Sequence, residues 1–371
     1  MVMDLNTSST KRQILIFASV AFALPFALGI LMGFGYYKGI DISVFPSAQM
    51  FYPAAGVMLA SLITRKGDPL IPKRVFIGFL IITTLLLLCA VASIIAVKVP
   101  WNTISQYVII IGSFVLFTLL LMENKDKRIA YGLKGGSWKA AFLIILLYLF
   151  LYFARTAISY ISSGDIQTMI EIVQNPFTWM ILLVSIPINY FFSYVAFLGE
   201  EYGWRYYLQP LLQKRLGMVR GIFALGIVWG LWHLPINFFY YTSPSVGVIS
   251  VAGQLITCTT IGVFYGWAYL KTDNIWTVVI LHYINNNLIP VITGEYSADV
   301  FQNQEADWGG VFFSLVVNTL LFMGFILTKY YKDYTNRLPT MDERADRYQR
   351  SILEQSTPAS EKPDMSYAKD D

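Results

Sequence analysis

The segment from Val75 to Val97 reads VFIGFLIITTLLLLCAVASIIAV and contains no charged side chain. A helix of about 20 apolar residues is long enough to cross the hydrocarbon core of a bilayer. Because this segment is apolar on every face, it lacks the apolar–polar alternation of a membrane β-strand. The segment therefore predicts a transmembrane helix and an all-α membrane protein.

The composition of the whole chain supports the same fold class. Of its 371 residues, 56% are hydrophobic and only 13% are charged, with a mean hydropathy of +0.55. The charged share is about half the roughly 25% of an ordinary soluble domain, which excludes a soluble enzyme. Windows of about 19 residues predict a polytopic bundle of about ten spans. We expect these near residues 14–36, 48–64, 75–97, 104–122, 138–154, 179–198, 221–240, 249–270, 275–292 and 308–328.

The distribution of basic residues predicts the orientation. With the amino terminus in the cytosol, 24 of the 27 Lys and Arg residues fall on the cytosolic side, and only Lys38, Lys98 and Arg155 fall outside. Cytoplasmic loops of membrane proteins are enriched in Lys and Arg. We therefore expect an integral, multi-pass protein with an even number of spans and both termini in the cytosol. The first apolar run is too long for a cleavable signal core and is expected to remain as the first span.

The chain divides into four predicted regions. Residues 1–175 hold about five spans and an outer interfacial helix within 156–175, and residues 176–292 hold the polar motifs described below. Residues 293–328 form an outer loop and the last span. Residues 329–371 are a charged cytosolic tail, helical around 341–355 and disordered beyond, and a docking segment for cytosolic partners is one use for it. The two cysteines, Cys89 and Cys258, are too isolated for a disulfide framework or a cysteine zinc site and are interpreted as packing residues.

Few ionisable side chains fall in or near the predicted spans, and burying each one is costly. They are Glu200, Glu201 and Arg205 around the end of the sixth span, His233 in the seventh and His282 in the ninth. A histidine bonded to a neighbouring helix is a common structural feature of membrane proteins. Two histidines together with a pair of carboxylates instead indicate a shared site.

Helical spacing separates the roles of the two carboxylates. Glu201 and Arg205 are four residues apart, the preferred spacing for an ion pair on a helix, whereas Glu200 points about 100° away. We therefore assign a structural ion pair to Glu201 and the chemistry to Glu200. The alternative is that both are interfacial acids at the end of a span.

Two further patterns place polar side chains within predicted transmembrane helices. His282 and Asn286 are also four residues apart, so both can donate hydrogen bonds to one oxygen atom. His233 comes two residues before Pro235, and a proline there frees a backbone carbonyl and kinks the helix. His233 lies about 20 Å along its helix from Arg220, but His282 only about 14 Å from Asp273, so either helix tilt or this kink must bring the two histidines to the same depth.

These residues give the chain a resemblance to the CAAX-protease and bacteriocin-processing family of intramembrane proteases. The family has three motifs: a Glu-Glu pair with an Arg four positions after the second Glu, an aromatic residue four before a His, and a His four before an Asn. Here they read Glu200-Glu201 with Arg205, Trp229 with His233, and His282 with Asn286. The aromatic residue is often Phe in the family and is Trp here, which we interpret as a neutral change. The resemblance covers roughly residues 179–292.

The resemblance implies an endopeptidase that hydrolyses peptide bonds of membrane-associated or lipid-embedded substrates. Carried over, Glu200 with His233 would activate a water, and His282 with Asn286 would stabilise the oxyanion. Glu201 and Arg205 would support this site. Zinc bound by Glu200, His233 and His282 is an alternative. Because the chain has no His-Glu-x-x-His motif, we favour hydrolysis without a metal or other cofactor.

Two functions of other classes stay open. Buried ionisable residues also serve as proton relays, so a proton-coupled transporter is one alternative, although the paired halves typical of transporters are not found. A non-proteolytic immunity or scaffold protein that has kept the fold is the other. The sequence has no basic patch or phosphate loop that would indicate a nucleic-acid partner.

Overall fold

The computed structural model describes residues 8–295 and 300–356, and in this part of the chain every regular element is a helix. The helices of the first half of the bundle are bounded as follows: α1 Ser9–Tyr37, α2 Val44–Gln49, α3 Tyr52–Thr64, α4 Lys73–Ile95, α5 Trp101–Met122, α6 Lys125–Ala130, α7 Trp138–Ser163 and α8 Ile166–Gln174. The second half of the bundle comprises α9 Pro176–Leu216, α10 Met218–Trp232, α11 Leu234–Tyr241, α12 Gly247–Thr272, α13 Ile275–Thr293, α14 Trp308–Leu327, α15 Lys329–Lys332 and α16 Met341–Ser356.

The helix lengths confirm a polytopic transmembrane bundle. Among the described residues, eight helices are long and apolar enough to cross a membrane, and α10 with α11 forms a ninth candidate that is bent by 42°. Large apolar side chains such as Ile30, Leu88, Phe150 and Leu320 are exposed on these helices. An apolar surface of this extent indicates contact with lipid. The protein is therefore an integral, multi-pass membrane protein.

The second predicted span, 48–64, differs from a single crossing helix. It consists of α2 and the 13-residue α3, which is shorter than the about 20 residues that a span needs. Most of α3 is buried inside the bundle, so it does not have to match the lipid thickness. Gln13 of α1 donates a hydrogen bond to Thr64 at the end of α3 (3.1 Å), so α3 returns the chain to the end of the bundle where α1 begins.

The tail helix α16 lies across that same end of the bundle, which we call the tail end. Asp342 accepts hydrogen bonds from Gln13 (3.1 Å) and Arg65 (2.8 Å). Further along α16, Arg344 donates to Asp273 (3.0 Å) and Tyr348 donates to Asp126 (2.8 Å). The predicted helix at 341–355 is therefore present and docked, and α1 and α16 share one end, the arrangement of an even number of passes. The predicted disorder beyond 356 lies outside the described residues.

Helix α7, which corresponds to the fifth predicted span, extends further than the sequence analysis predicted. We expected the fifth span to end at residue 154 and the chain to continue as an interfacial helix, but α7 continues to Ser163, and a separate helix, α8, begins at Ile166. Gly164, with a φ of 76°, ends α7 in the left-handed conformation that glycine tolerates. Arg155, which we placed in an outer loop, therefore lies within a candidate span.

Close helix contacts at glycine fix the helix that carries the Glu-Glu pair. A Cβ atom at Gly199 would lie 2.4 Å from the backbone oxygen of Met50, and one at Gly203 would lie 2.3 Å from Pro53. Small residues four apart let two helix backbones approach closely. Glu200 and Glu201 are thus held against the α2–α3 junction by a contact that only glycine permits.

Candidate active site

The three polar motifs lie on three helices that meet around one cavity. Glu200 and Glu201 are on α9, His233 separates α10 from α11, and His282 and Asn286 are on α13. The cavity has a volume of about 780 Å³, and Glu200, His233, His282 and Asn286 all line it. The bend between α10 and α11 falls at His233, as Pro235 predicts, and allows the two imidazoles to approach each other.

Trp229 connects the first two motifs. Its indole Nε1 donates a hydrogen bond to Glu200 Oε2 (2.9 Å), and its backbone oxygen accepts one from Nδ1 of His233 (2.8 Å). The centroid of its ring lies 6.1 Å from the centroid of the His233 imidazole and 5.6 Å from that of His282. Trp204 adds a longer hydrogen bond to the same oxygen of Glu200 (3.4 Å). Glu200 is therefore a buried carboxylate with two indole donors.

The interpretation of Trp229 as a neutral replacement for Phe was incomplete. Phenylalanine offers the ring but no N–H group, so the hydrogen bond to Glu200 belongs to the tryptophan. The sequence carried one usable signal, since a buried indole N–H needs a polar partner. Which partner it finds depends on the packing of α9 against α10.

Glu201 has a second contact besides the expected ion pair. Its Oε2 lies 3.1 Å from Nε of Arg205, and its Oε1 accepts a hydrogen bond from Nδ1 of His282 (2.9 Å). Both Glu201 and Arg205 are completely buried. The guanidinium of Arg205 also lies over the ring of Trp229, 5.1 Å from its centroid. Glu201 thus links α9 to α13 and fixes the orientation of His282.

The hydrogen bonds assign different surroundings to the two histidines. In each ring Nδ1 donates, in His233 to a neutral backbone carbonyl and in His282 to a carboxylate. Nδ1 is thus engaged in each ring, and Nε2 is the nitrogen left for other contacts. A carbonyl partner fixes the tautomer, whereas a carboxylate partner can also stabilise an imidazolium.

A chain of hydrogen bonds orients Asn286. The hydroxyl of Tyr148 donates to Asn285 Oδ1 (2.8 Å), and Asn285 Nδ2 donates to Asn286 Oδ1 (3.0 Å). Because its oxygen is engaged, Asn286 presents its amide N–H groups as donors. The neighbouring Asn285 is therefore the group that orients Asn286.

The structure does not bring the three alternative zinc ligands together as a metal site. Among the described residues, no group of three or more His, Cys, Asp or Glu side chains is arranged to hold a metal ion. Cys258 lines the cavity, and both it and Cys89 are buried, in keeping with packing roles.

Comparison with known proteins supports the resemblance found in the motifs. Residues 176–288 match the family described as "Type II CAAX prenyl endopeptidase Rce1-like". A curated relative described as "CAAX prenyl protease 2", from Methanococcus maripaludis, is 28% identical over 92 residues, which are 24% of this chain and 34% of the relative. The chain thus spans about a third of the length of the curated relative it matches. No solved structure matches the chain. The matched segment contains all three motifs, and in this segment the chain is similar to the CAAX-protease and bacteriocin-processing family.

Proposed function

We propose that this protein is an intramembrane endopeptidase that hydrolyses peptide bonds of membrane-associated or lipid-embedded substrates. One observation carries the proposal: Glu200 of α9, His233 between α10 and α11, and His282 and Asn286 of α13 line a single cavity inside the bundle. Two potential bases and two oriented hydrogen-bond donors around one space are what hydrolysis by an activated water requires. The match of residues 176–288 to a family of endopeptidases supports the same reaction.

Glu200 and His233 form the base side of this mechanism. His233 donates from Nδ1 to a backbone carbonyl, so the neutral ring has a lone pair on Nε2 that can accept a proton or hold a water. The indole of Trp229 holds Oε2 of Glu200 and leaves Oε1 as an acceptor for the same water. In the proposed reaction Glu200 takes a proton from water, and the resulting hydroxide attacks the peptide carbonyl carbon.

His282 and Asn286 form the oxyanion side. The carboxylate of Glu201 stabilises a protonated His282, whose Nε2–H can then donate to the carbonyl oxygen as negative charge develops on it. The amide group of Asn286 supplies the second donor. When the tetrahedral intermediate collapses, the C–N bond breaks, and Glu200 returns its proton to the leaving nitrogen. The step needs no further co-reactant.

The distribution of charge supports one orientation. The tail end of the bundle carries Lys and Arg on a loop (Arg65), near the end of α9 (Lys214) and on α16 (Arg344). We place this end in the cytosol, because Lys and Arg accumulate in cytoplasmic loops.

Peptide cleavage by the purified, reconstituted full-length chain tests the proposal. Membrane peptides from cells with the intact gene supply candidate substrates when compared with those from cells carrying Glu200→Ala. We expect peptides that accumulate in the variant to be cut by the wild-type protein and not by Glu200→Ala, at equal expression and membrane insertion.

Glu171→Ala serves as a matched control, since Glu171 is a surface carboxylate on α8. It should cleave like the wild type. Retained cleavage by Glu200→Ala would remove Glu200 from the mechanism, and proton-coupled flux without cleavage would favour the transporter.

A further inference from the structure

Arg155 is a positively charged residue inside a transmembrane helix. It lies eight residues before the end of α7, which corresponds to a depth of about 12 Å at 1.5 Å per residue. Its side chain is partly buried and lines the cavity. Charged residues within spans are costly, so such a residue facing a cavity indicates a binding role with an identifiable partner.

Arg155 has no acidic partner within residues 8–295 and 300–356. None of the ion pairs in this part of the chain includes it, whereas Arg65, Arg205, Arg337 and Arg344 each pair with a carboxylate. Its guanidinium instead lies over the ring of Tyr152, with 4.7 Å between the guanidinium carbon and the ring centroid. This contact orients the guanidinium and leaves its charge without a counter-ion among the described residues.

The face of α7 that carries Arg155 is connected to the candidate active site. One turn earlier, the hydroxyl of Tyr152 donates to the backbone oxygen of Asn285 (3.4 Å), and Tyr148 donates to the side chain of the same residue (2.8 Å). Asn285 in turn orients Asn286. A ligand group held by Arg155 would therefore lie in the same cavity as the proposed oxyanion donors.

The remaining cavity wall is rich in neutral hydrogen-bonding groups. Amide side chains on its wall are Asn102, Gln106, Asn237, Gln254, Asn285, Asn287 and Gln304. Arg155 is the only Lys or Arg among the described residues of the wall. Amides can pair with the N–H and C=O groups of an extended peptide, but a hydrocarbon chain would leave them unsatisfied. The wall also carries aromatic and aliphatic side chains, for example Phe197, Trp232 and Ile261, so it favours a peptide segment over a bare hydrocarbon chain.

We infer that the cavity binds a peptide segment and that Arg155 holds a carboxylate group of that peptide. This inference rests on the proposed function for the fate of the peptide, but the binding itself does not require cleavage. Guanidinium and carboxylate form charge-assisted hydrogen bonds, which are strong where water is partly excluded. The carboxylate can be the carboxyl terminus of the peptide or the side chain of Asp or Glu.

Peptide binding to the full-length protein in nanodiscs tests this inference, with Glu200→Gln present to prevent turnover. The probes are two random-sequence octapeptide mixtures, one with free carboxyl termini and one amidated, and bound peptides are quantified by mass spectrometry. We expect Arg155→Gln to lower retention of carboxylate-bearing peptides about ten-fold or more. A loss confined to the free-acid mixture identifies the terminal carboxylate. A loss of Asp- and Glu-containing peptides from the amidated mixture identifies the side chain.

Lys98→Gln is the matched control, because it removes one positive charge from an exposed position at the same end of the bundle and outside the cavity wall. It should retain peptides like the parent protein, and Arg155→Lys should retain most of them. If Arg155→Gln does not fold, a preference of the parent protein for peptides with a carboxylate group over peptides without one, kept by Arg155→Lys, supports the inference. Absence of peptide binding, equal binding of peptides with and without a carboxylate group, or equal losses in Lys98→Gln and Arg155→Gln would overturn it. Because binding is measured without turnover, failure of the protease assignment would show separately, in the cleavage assay.

Discussion

Trp229 donates its indole N–H to Oε2 of Glu200 over 2.9 Å, and its backbone oxygen accepts the Nδ1–H of His233 over 2.8 Å. One residue thus contacts both members of the proposed base through different atoms. The indole bond holds the carboxylate, and the carbonyl bond selects the tautomer of the imidazole. The aromatic position of the second motif is therefore a positioning residue for Glu200 in this chain.

Trp229→Phe should lower kcat for peptide cleavage by roughly ten-fold to a hundred-fold, because a hydrogen bond to a charged acceptor contributes about 1.5–3 kcal/mol. The ring is kept, so the fold and the contact with Arg205 should persist. Steady-state kinetics of the reconstituted protein measures the effect. Trp267→Phe is the control, since the buried Nε1 of Trp267 has no hydrogen-bond partner within the described chain. Equal kinetics for the two variants would contradict the role of Trp229.

Glu201→Ala should destabilise the fold by about 3–5 kcal/mol, because it leaves the buried guanidinium of Arg205 without its carboxylate and removes the partner of His282. Thermal unfolding in detergent micelles checks this. The double variant Glu201→Ala with Arg205→Met should be more stable than the single variant, since it no longer buries an unpaired charge. An unchanged melting temperature for Glu201→Ala would remove its structural role.

The docking of α16 should weaken in acid. Partial burial disfavours the ionised form of Glu343, but hydrogen bonds from Lys214, the backbone of Thr340 and Arg337 outweigh it and lower the pKa of Glu343 to about 2. The unfolded segment has the usual value of 4.5, so the stabilisation is complete above pH 4.5 and disappears as the pH falls toward 2.

Hydrogen exchange of residues 341–355 across this pH range tests that expectation. Glu343→Gln should exchange faster than the wild type at neutral pH, and the difference between the two proteins should close as the pH falls from 4.5 to 2. A difference that is independent of pH would refute this assignment.

Cleavage should resist metal chelation. Glu200, His233 and His282 form no metal-binding group in the described structure. Activity in 1,10-phenanthroline should equal that in 1,7-phenanthroline, an isomer that chelates poorly. Inhibition by the first compound alone, reversed by added zinc, would favour the zinc alternative.

The sequence predicted those features that depend on local pattern. Apolar runs of span length gave nine of the ten predicted helices, because lipid tolerates few charges over about 20 residues. The four-residue spacings within Glu201–Arg205 and His282–Asn286 follow from helix geometry alone. That Glu200, His233, His282 and Asn286 are catalytic stays a prediction.

Features that depend on packing between distant segments could not be predicted from local sequence pattern. The bond from His282 to Glu201 joins residues 81 apart, and that from Trp229 to Glu200 joins residues 29 apart. The interior position of α3 allowed it to be too short for a span. Arg155 was misplaced because a hydropathy window ends a span at a charge, whereas the backbone continues as helix wherever a cavity accommodates that charge.

The tail helix α16 also constrains how the protein is made. Its partners, including Gln13, Arg65, Asp126, Lys214 and Asp273, come from five separate stretches of the chain. Since synthesis proceeds from the amino terminus, α16 emerges from the ribosome after all of them, and its docking site exists only once those stretches have been inserted and assembled. Docking of α16 is therefore a late step of biogenesis, which occurs only after the segments that bind it have assembled.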